Sequence, residues 1–210
     1  GQKEDVKAAS KEENKDLNSS VSTNVTNNTK KEKKKQNKGG NNEEDNAEPI
    51  TKLDIRVGKI TKVWKHPDSS KLYCEEVDIG EDQPRSIASG LQEFVPIEKM
   101  ENAMVIVLCN LKARKLAGFQ SHGMVLCGET PDKSAVELLT PPEGTKPGDK
   151  ITIKGFDRNP NATLPPKKKI FESVVGDLRV DENGIAKYKD AEFTTEKGNV
   201  FSEGIRNGII

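Results

Sequence analysis

The segment 53–64, which reads LDIRVGKITKVW, limits the possible folds more than any other part of the chain. Apolar and polar residues alternate up to Gly58, as in a strand with one buried face, and the apolar series resumes at Ile60 and Val63. A long strand that bends at a glycine is typical of a small barrel, where the sheet turns a corner. The segment therefore predicts a curved β structure.

Four further segments predict strands, since each is a short apolar or alternating run bounded by turn residues. They are Leu72–Gly80, Arg85–Ser89, Met104–Cys109 and Gly123–Gly128. Before the fourth strand, Phe94 and Ile97 have helical spacing, but Pro96 limits the helix to a short turn. This order predicts a mainly β fold with a five-stranded Greek-key barrel of the oligonucleotide/oligosaccharide-binding (OB) type. Other small β-barrels would give a similar pattern.

Residues 151–210 follow a Pro/Gly-rich turn and predict a second, smaller unit. Ile151–Phe156 alternates as a strand, and Asn183-Gly184 marks the turn of a hairpin. Three lysines, Lys167–Lys169, follow two prolines at the start of a short amphipathic segment. A unit of this size buries too little apolar area to be stable alone. We therefore expect a small α+β domain that packs on the barrel.

Residues 1–48 have almost no large apolar side chains and are rich in Lys, Glu, Asn, Ser and Thr. Such a composition cannot offset the entropy of ordering the backbone, so the sequence predicts a disordered tail or linker. The chain then divides into this tail, an OB domain over residues 49–150 and the small domain over 151–210. The lysine block at 30–38 would attract RNA or acidic surfaces without sequence preference, or would only keep the tail soluble.

The sequence disfavours catalysis, metal binding and membrane insertion within these 210 residues. Its two histidines have no second ligand at metal spacing, and no phosphate loop, dinucleotide fingerprint or nucleophile elbow is present. Its three cysteines, Cys74, Cys109 and Cys127, lack a C-x-x-C spacing and predict buried free thiols in a reducing compartment. No apolar stretch could span a bilayer, and no signal peptide is recognisable. We expect no catalytic residues, no cofactor, no metal and a cytoplasmic location.

Cationic side chains gather around the predicted barrel although the formal net charge is 0. Lys112, Arg114 and Lys115 fill the connection between two core strands, where the strands would fix the positions of their charges. The other strands carry or adjoin Lys59, Lys62, Lys65, Lys71 and Arg85. Aromatic residues are only 4% of the chain, which favours recognition of a folded RNA by shape and phosphates over single-strand stacking. Each lysine taken alone is better explained as ordinary surface, whereas the cluster Lys112–Lys115 is better explained as a binding site.

Several segments resemble the tRNA-binding domain found in bacterial methionyl-tRNA synthetase C-termini and in structure-specific tRNA-binding proteins. They read LDIRVGKI, KHPDSSKLYCEEVDIG, IASGL, NLKARKLAGFQSHGMVLCG and LTPPEGTKPGDKI. The continuation PNATLPPKKKIFE and IAKYKD resembles the extra domain of endothelial monocyte-activating polypeptide II. That domain also occurs in the multisynthetase-complex scaffold protein and at the C-terminus of animal tyrosyl-tRNA synthetase. The resemblance runs from Pro49 to the C-terminus, in order and with few gaps.

The resemblance implies a non-catalytic module that binds tRNA as a folded object, chiefly through its elbow and backbone. Asn110, at a strand end, begins the family's basic motif, which has Ala113 here where relatives often have proline, and Ser121 begins its S-x-G-M motif. Combined with the other cations, the predicted tRNA-binding residues are Lys59, Lys62, Lys65, Lys71, Arg85, Asn110, Lys112, Arg114, Lys115, Ser121, Met124, Lys167, Lys168 and Lys169.

The resemblance also implies partners and an oligomeric state. Family members serve aminoacyl-tRNA synthetases, in cis as a C-terminal appendage or in trans as a cofactor, so tRNA and a synthetase are the expected partners. The extra domain takes the place of a second subunit in relatives, which implies a monomer through its core. The chain has no initiator Met, and both a free cofactor and the C-terminal part of a synthetase remain open.

Two alternative functions follow from the same resemblance. One is a cytokine-like polypeptide released by proteolysis and then secreted, for which the implicated segment corresponds to Arg56–Thr61. The other is a scaffold of a synthetase complex that binds RNA only weakly.

Overall fold

The structure, a computed structural model, describes residues 47–210, and their regular structure is mostly antiparallel β-sheet. The first eight strands are β1 (Ile55–Lys65), β2 (Tyr73–Asp78), β3 (Arg85–Ser89), β4 (Met104–Leu108), β5 (Arg114–Leu116), β6 (Phe119–Ser121), β7 (Met124–Glu129) and β8 (Val136–Leu138). A 3₁₀ turn (Pro49–Lys52) precedes β1, and the short helix α1 (Ile97–Met100) precedes β4, as predicted. Five of these strands, β1 to β4 and β7, are those expected from the sequence, which confirms a mainly β, OB-like fold.

The central strand β1 changes its neighbour part-way along its length. Its first half pairs antiparallel with β4, its second half pairs with β2, and the register shifts between Ile60 and Lys62. At Gly58 a Cβ atom would lie 2.9 Å from side-chain carbons of both Val77 and Val107. Because no larger residue fits there without displacing these side chains, the predicted bend point is also a close-packing point between the two neighbours.

The connection between β4 and β7, for which the sequence predicts no strand, contains a hairpin. β5 and β6 pair antiparallel through Arg114 with Ser121 and Lys115 with Gln120. The two turn residues, Ala117 (φ 47°) and Gly118 (φ 88°), both have positive φ. Two consecutive residues of this kind form the tight turn whose twist suits a two-stranded hairpin. We call this element, Arg114–Ser121, the basic hairpin.

Residues 151–210 add a second part that packs on the OB-like part, residues 49–150. Its elements are β9 (Thr152–Ile153), a 3₁₀ turn (Pro166–Lys168), α2 (Ile170–Val175), β10 (Leu178–Val180), β11 (Ala186–Tyr188), β12 (Ala191–Thr195), β13 (Gly198–Asn199) and β14 (Gly208–Ile209). β10 and β11 form the hairpin predicted around Asn183-Gly184. β14 pairs with both β10 and β7, so one sheet continues from the second part into the first. The exact domain boundary after residue 150 stays a prediction.

Apolar side chains from both parts share one core cluster. Ile55 and Leu126 of the OB-like part lie in the same buried cluster as Leu178, Tyr188 and Phe193 of the second part. A second cluster lies within the OB-like part, between β2, β3, β4 and α1. This common core explains how a second part that is too small to be stable alone is held in place.

Three sequence predictions have different outcomes. Cys74 and Cys109 are buried free thiols, as predicted, whereas Cys127 is a free thiol in a half-buried residue. Desolvation raises the pKa of both Cys109 and Cys127 to about 12. The disordered tail predicted for residues 1–48 lies almost wholly outside the described residues. Its last member, Glu48, accepts hydrogen bonds from the Tyr188 hydroxyl (3.2 Å) and the Lys189 ammonium (3.0 Å). Among residues 47–210, no helix has the length and apolar character needed to cross a membrane.

Candidate nucleic-acid interface

The basic hairpin presents its cations to solvent. Arg114 and Lys115 lie on β5, and Lys112 lies two residues before it; all three are exposed. β5 pairs with β6, and a hydrogen bond from the His122 N–H to the Ser86 carbonyl (2.8 Å) attaches the end of the hairpin to β3. The strands therefore fix the backbone from which these charges project, as the sequence analysis expected.

A second wall, formed by Pro165–Phe171, stands opposite the hairpin. Between the two walls lies a groove of about 510 Å³ whose lining includes Lys112, Arg114 and Lys169. These three residues are exposed, and we call them the rim of the groove. Lys169 has left-handed backbone angles (φ 46°, ψ 41°) at the junction of the 3₁₀ turn and α2. The structure thus joins two lysine-rich clusters that the sequence analysis assigned to separate domains. We call this feature the cationic groove.

The floor of the cationic groove is mostly apolar. Leu116 and Met124 contribute from the OB-like part, and Leu164 and Phe171 contribute from the second part. Among the described residues that line the groove, Glu172 is the one with an acidic side chain. The groove therefore combines a positive rim with an apolar base.

Asn110 connects the two walls from inside the fold. It is buried, with 4% of its surface exposed, and its side-chain NH₂ donates to the carbonyls of Lys52 (2.8 Å) and Asn161 (2.9 Å). Its side-chain oxygen accepts from the Asp54 N–H (3.0 Å), and its main-chain carbonyl accepts from the Leu164 N–H (2.7 Å). Asn110 also lines a polar cleft beside the groove, and its hydrogen bonds hold the two walls together, whereas its predicted contact with RNA stays a prediction.

Ser121 and Arg85 are also engaged within the protein. The buried hydroxyl of Ser121 accepts from the Ala88 N–H (3.1 Å) and donates to the Gly123 carbonyl (3.1 Å). The Arg85 guanidinium forms an ion pair with Glu81 (2.6 Å) and donates to the carbonyls of Cys109 and His122. Arg85 and Lys112 line an adjoining polar cleft of about 610 Å³, so Arg85 is next to the groove although most of its donors have partners.

Phe119 attaches the tip of the basic hairpin to the end of β1. Its ring lies edge-on to Trp64 (centroids 5.9 Å apart) and to His66 (6.4 Å). The Lys62 ammonium lies 5.0 Å from the centroid of the Trp64 ring and 3.4 Å from a Glu76 carboxylate oxygen. Aromatic packing therefore places Lys62 near the hairpin tip, which no spacing in the sequence indicated.

The remaining predicted cations lie outside the lining of the groove. Lys59 is half-buried on β1 between β2 and β4, and Lys65 and Lys71 are exposed near the turn that follows β1. Lys167 and Lys168 are exposed in the 3₁₀ turn just before Lys169. Lys62 and Lys115 are also absent from the lining of the groove. The structure therefore brings only part of the predicted set together at one surface, and a role in tRNA binding stays a prediction for every member of the set.

Two other sequence inferences concern the site indirectly. Within residues 47–210, no cluster of His, Cys, Asp and Glu side chains is arranged to hold a metal ion. The segment Arg56–Thr61, implicated in signalling by resemblance, lies inside β1, where Val57, Gly58 and Ile60 are buried. Exposure of that segment would require β1 to leave the sheet.

Comparison with known proteins places these features in a family context. The model of the tRNA-binding domain family matches residues 55–150, which include the whole basic hairpin. The cytoplasmic tyrosine–tRNA ligase of Gallus gallus is 42% identical over 171 residues, or 79% of this chain and 32% of that enzyme. The aminoacyl tRNA synthase complex-interacting multifunctional protein 1 of Mus musculus is 47% identical over 150 residues, or 70% of this chain and 48% of that protein.

A solved structure matches both parts of the fold. The crystal structure of the C-terminal domain of Plasmodium vivax p43 is 39% identical, with a TM-score of 0.71, and the match covers 76% of this chain and 97% of that domain. The cytoplasmic methionine–tRNA ligase of Arabidopsis thaliana is 45% identical over 166 residues, or 79% of this chain and 21% of that enzyme. The chain therefore spans from about a fifth to about half of the length of these curated relatives.

Proposed function

The chain belongs to the tRNA-binding domain family, and from this membership and the geometry of the cationic groove we propose that residues 49–210 are a non-catalytic module that binds tRNA. The observation that carries the proposal is the meeting of Lys112 and Arg114 with Lys169 across one groove. Phosphates are bound best by positive charges whose positions are fixed before binding. Both walls are fixed here by main-chain pairing and by the buried Asn110.

We further propose that the module delivers or retains tRNA for an aminoacyl-tRNA synthetase in the cytoplasm. Matching segments in relatives occur in tyrosine and methionine ligases, which supports an appendage in cis, and in a complex-interacting protein, which supports a cofactor in trans. The latter relative also supports a scaffold role as the second candidate function. Because residues 151–210 bury their apolar face within the same chain, we propose a monomer through this core.

Charge reversal on the basic hairpin tests the proposal. The variant Lys112→Glu/Arg114→Glu/Lys115→Glu replaces three exposed cations that make no contact needed by the core. We expect its affinity for tRNA to fall about a hundredfold, since two or three charge-assisted contacts are lost. Fluorescence anisotropy with labelled tRNA measures the affinity, and circular dichroism verifies the fold.

A matched control separates specific contacts from overall charge. The variant Lys133→Glu/Lys146→Glu/Lys197→Glu makes the same change of net charge at exposed sites that do not line the groove. It should keep its affinity within about threefold at moderate salt, because these charges are screened from the groove. If both variants lose affinity equally, or if the hairpin variant binds normally, the cationic groove is not the tRNA site.

A further inference from the structure

We propose that the cationic groove holds one unpaired nucleotide of the RNA, with its base on the apolar floor and its phosphate against the rim. This inference rests on the proposed function and adds to it a ligand class that phosphate binding alone does not require. A surface that only attracts the sugar–phosphate backbone needs positive charge and no apolar cavity. The apolar floor of this groove is therefore the feature to be explained.

The dimensions and lining of the groove fit a small planar ligand. Its volume of about 510 Å³ lies within the range of ligand pockets, which are mostly apolar with a few polar groups that fix orientation. Leu116, Met124 and Leu164 provide the apolar surface, and the ring of Phe171 adds an aromatic side chain to it. Bases stack on such surfaces with little dependence on sequence.

The charges around the groove favour a ligand that carries an anionic group beside the group that packs on the apolar floor. Three cationic residues, Lys112, Arg114 and Lys169, line the groove together with one acidic residue, Glu172. The Arg114 guanidinium can also stack on a base, because the guanidinium group is planar and its faces are weakly hydrated. A nucleotide has a flat base, whose face can pack on the apolar floor, and a phosphate that can bind the rim cations. An aliphatic peptide would leave those cations without an anionic partner.

Within an RNA, only an unpaired residue can offer such a ring. In a duplex the faces of the bases are stacked on one another, and the deep major groove of an A-form helix keeps their edges from side chains. Loops and single-stranded ends carry bases that can turn outward. A folded tRNA bound through its backbone would therefore be anchored here by one such base.

Both parts of the fold are required for this site. Pro165 and Pro166 have restricted backbone angles, and the bond from the Leu164 N–H to the Asn110 carbonyl (2.7 Å) holds their segment beside the basic hairpin. Because one wall is the hairpin and the other belongs to residues 151–210, the OB-like part alone would have only half of the groove. The groove is thus a product of the second part packing on the first.

Methyl NMR of the full chain provides a direct test, since the chain contains only three methionines. Met124 lines the groove, whereas Met100 is fully buried at the end of α1 and Met104 lies on β4, so these two are internal references. With [¹³C-methyl]methionine-labelled protein, we expect adenosine and uridine 5′-monophosphates to shift the Met124 signal alone. Inorganic phosphate at matched ionic strength should leave that signal in place, because it has no base.

A variant that fills the groove without changing charge completes the test. Ala113 lines the groove, so Ala113→Phe should abolish the nucleotide-induced shift of Met124, whereas Ala135→Phe, at an exposed site on another loop, should leave it intact. No Met124 shift up to about 10 mM nucleotide, or an equal shift with phosphate, would overturn the inference. In that case, a loss of tRNA affinity on reversal of the hairpin charges would still support the proposed function, although the inference about a bound nucleotide would be wrong.

Discussion

Asn110 and Leu164 are joined by a main-chain hydrogen bond of 2.7 Å, from the Leu164 N–H to the Asn110 carbonyl. Asn110 directly precedes the segment that carries the hairpin cations, and Leu164 directly precedes the two prolines of the opposite wall. The Asn110 side chain adds bonds to the main chain of Lys52, Asp54 and Asn161. The distance between the two walls is therefore set by one buried residue, and the solvent-facing charges take their positions from it.

Replacing Asn110 by alanine should destabilise the fold more than most polar substitutions. The change leaves three main-chain groups without their partner, and unsatisfied buried groups cost about 1–3 kcal/mol each when water cannot reach them. We expect the free energy of unfolding to fall by about 3 kcal/mol, measured by urea denaturation, and tRNA affinity to fall severalfold. Asn159→Ala, at an exposed site in the loop that leads to the second wall, should change stability by less than about 0.5 kcal/mol. Equal effects of the two substitutions would contradict the positioning role.

Phe119→Ala should weaken tRNA binding without removing a charge. The substitution removes the edge-on contacts of Phe119 with Trp64 and His66, each worth about 1 kcal/mol, and so frees the tip of the basic hairpin. We expect affinity to fall about fivefold while the salt dependence of binding is unchanged, because no phosphate contact is deleted. Phe119→Tyr, which retains the ring, should bind like the parent. Unchanged affinity of Phe119→Ala would mean that the hairpin is held by its strands alone.

Lys169→Gly should separate stability from function. A left-handed backbone costs a residue with a side chain about 1 kcal/mol relative to glycine, so the free energy of unfolding should rise by up to about that amount. Affinity for tRNA should fall, because a rim cation is lost. Lys133 also has a positive φ (60°) but lies outside the groove, so Lys133→Gly should gain stability and keep its affinity. If Lys169→Gly and Lys133→Gly bind tRNA with equal affinity, Lys169 does not contribute to the tRNA site.

Glu75→Gln should stabilise the protein in a pH-dependent way. Glu75 is fully buried, the Ser89 hydroxyl donates to one of its oxygens, and the other oxygen has no partner within the described residues. Burial raises the pKa of Glu75 to about 7, although the Ser89 bond opposes this. Below pH 4.5, the ordinary pKa of this carboxyl in the unfolded chain, Glu75 is protonated in both the folded and the unfolded state, so its ionisation costs no stability. As pH rises towards 7 the unfolded chain ionises first, so the folded state is progressively disfavoured, by about 3 kcal/mol at most.

The measurement for Glu75 is urea denaturation of parent and Glu75→Gln at several pH values. The stability of the variant relative to the parent should increase between about pH 4.5 and about pH 7 and then level off. A difference between parent and Glu75→Gln that is the same at all pH values would show that Glu75 has an ordinary pKa.

The OB-like strands were predictable because each alternates or is continuously apolar over its own length. The basic hairpin was missed because its strands are three residues long and β5 is mostly exposed, so its composition is that of a loop. Its one local signal was the Ala117-Gly118 pair, which is a weaker turn signal than Asn-Gly. Strand pairing there depends on the tertiary contact of Phe119 with Trp64, which lies far away in the sequence.

The candidate site was predictable in part. Lys112 and Arg114 were identified because a cationic run between two core strands is unusual, but their meeting with Lys169 depends on how the second part packs. Asn110 and Ser121 were expected to contact RNA from strand ends. The structure buries most of both residues, although Ser121 still lines the groove and Asn110 the adjoining cleft, so their contact with RNA stays a prediction. Burial of a polar side chain follows from long-range main-chain partners such as Asn161 and Ala88, and no local pattern encodes those.

The salt dependence of tRNA binding tests the central claim most directly. Lys112→Ala/Arg114→Ala/Lys169→Ala neutralises the groove rim, and Lys133→Ala/Lys146→Ala/Lys197→Ala makes the same charge change elsewhere. Each phosphate contact contributes about 0.7–0.9 to the slope of log affinity against log salt. The account predicts that the rim variant loses about 2–3 units of slope while the control keeps the slope of the parent. Equal slopes for all three proteins would show that phosphates are bound elsewhere on the chain.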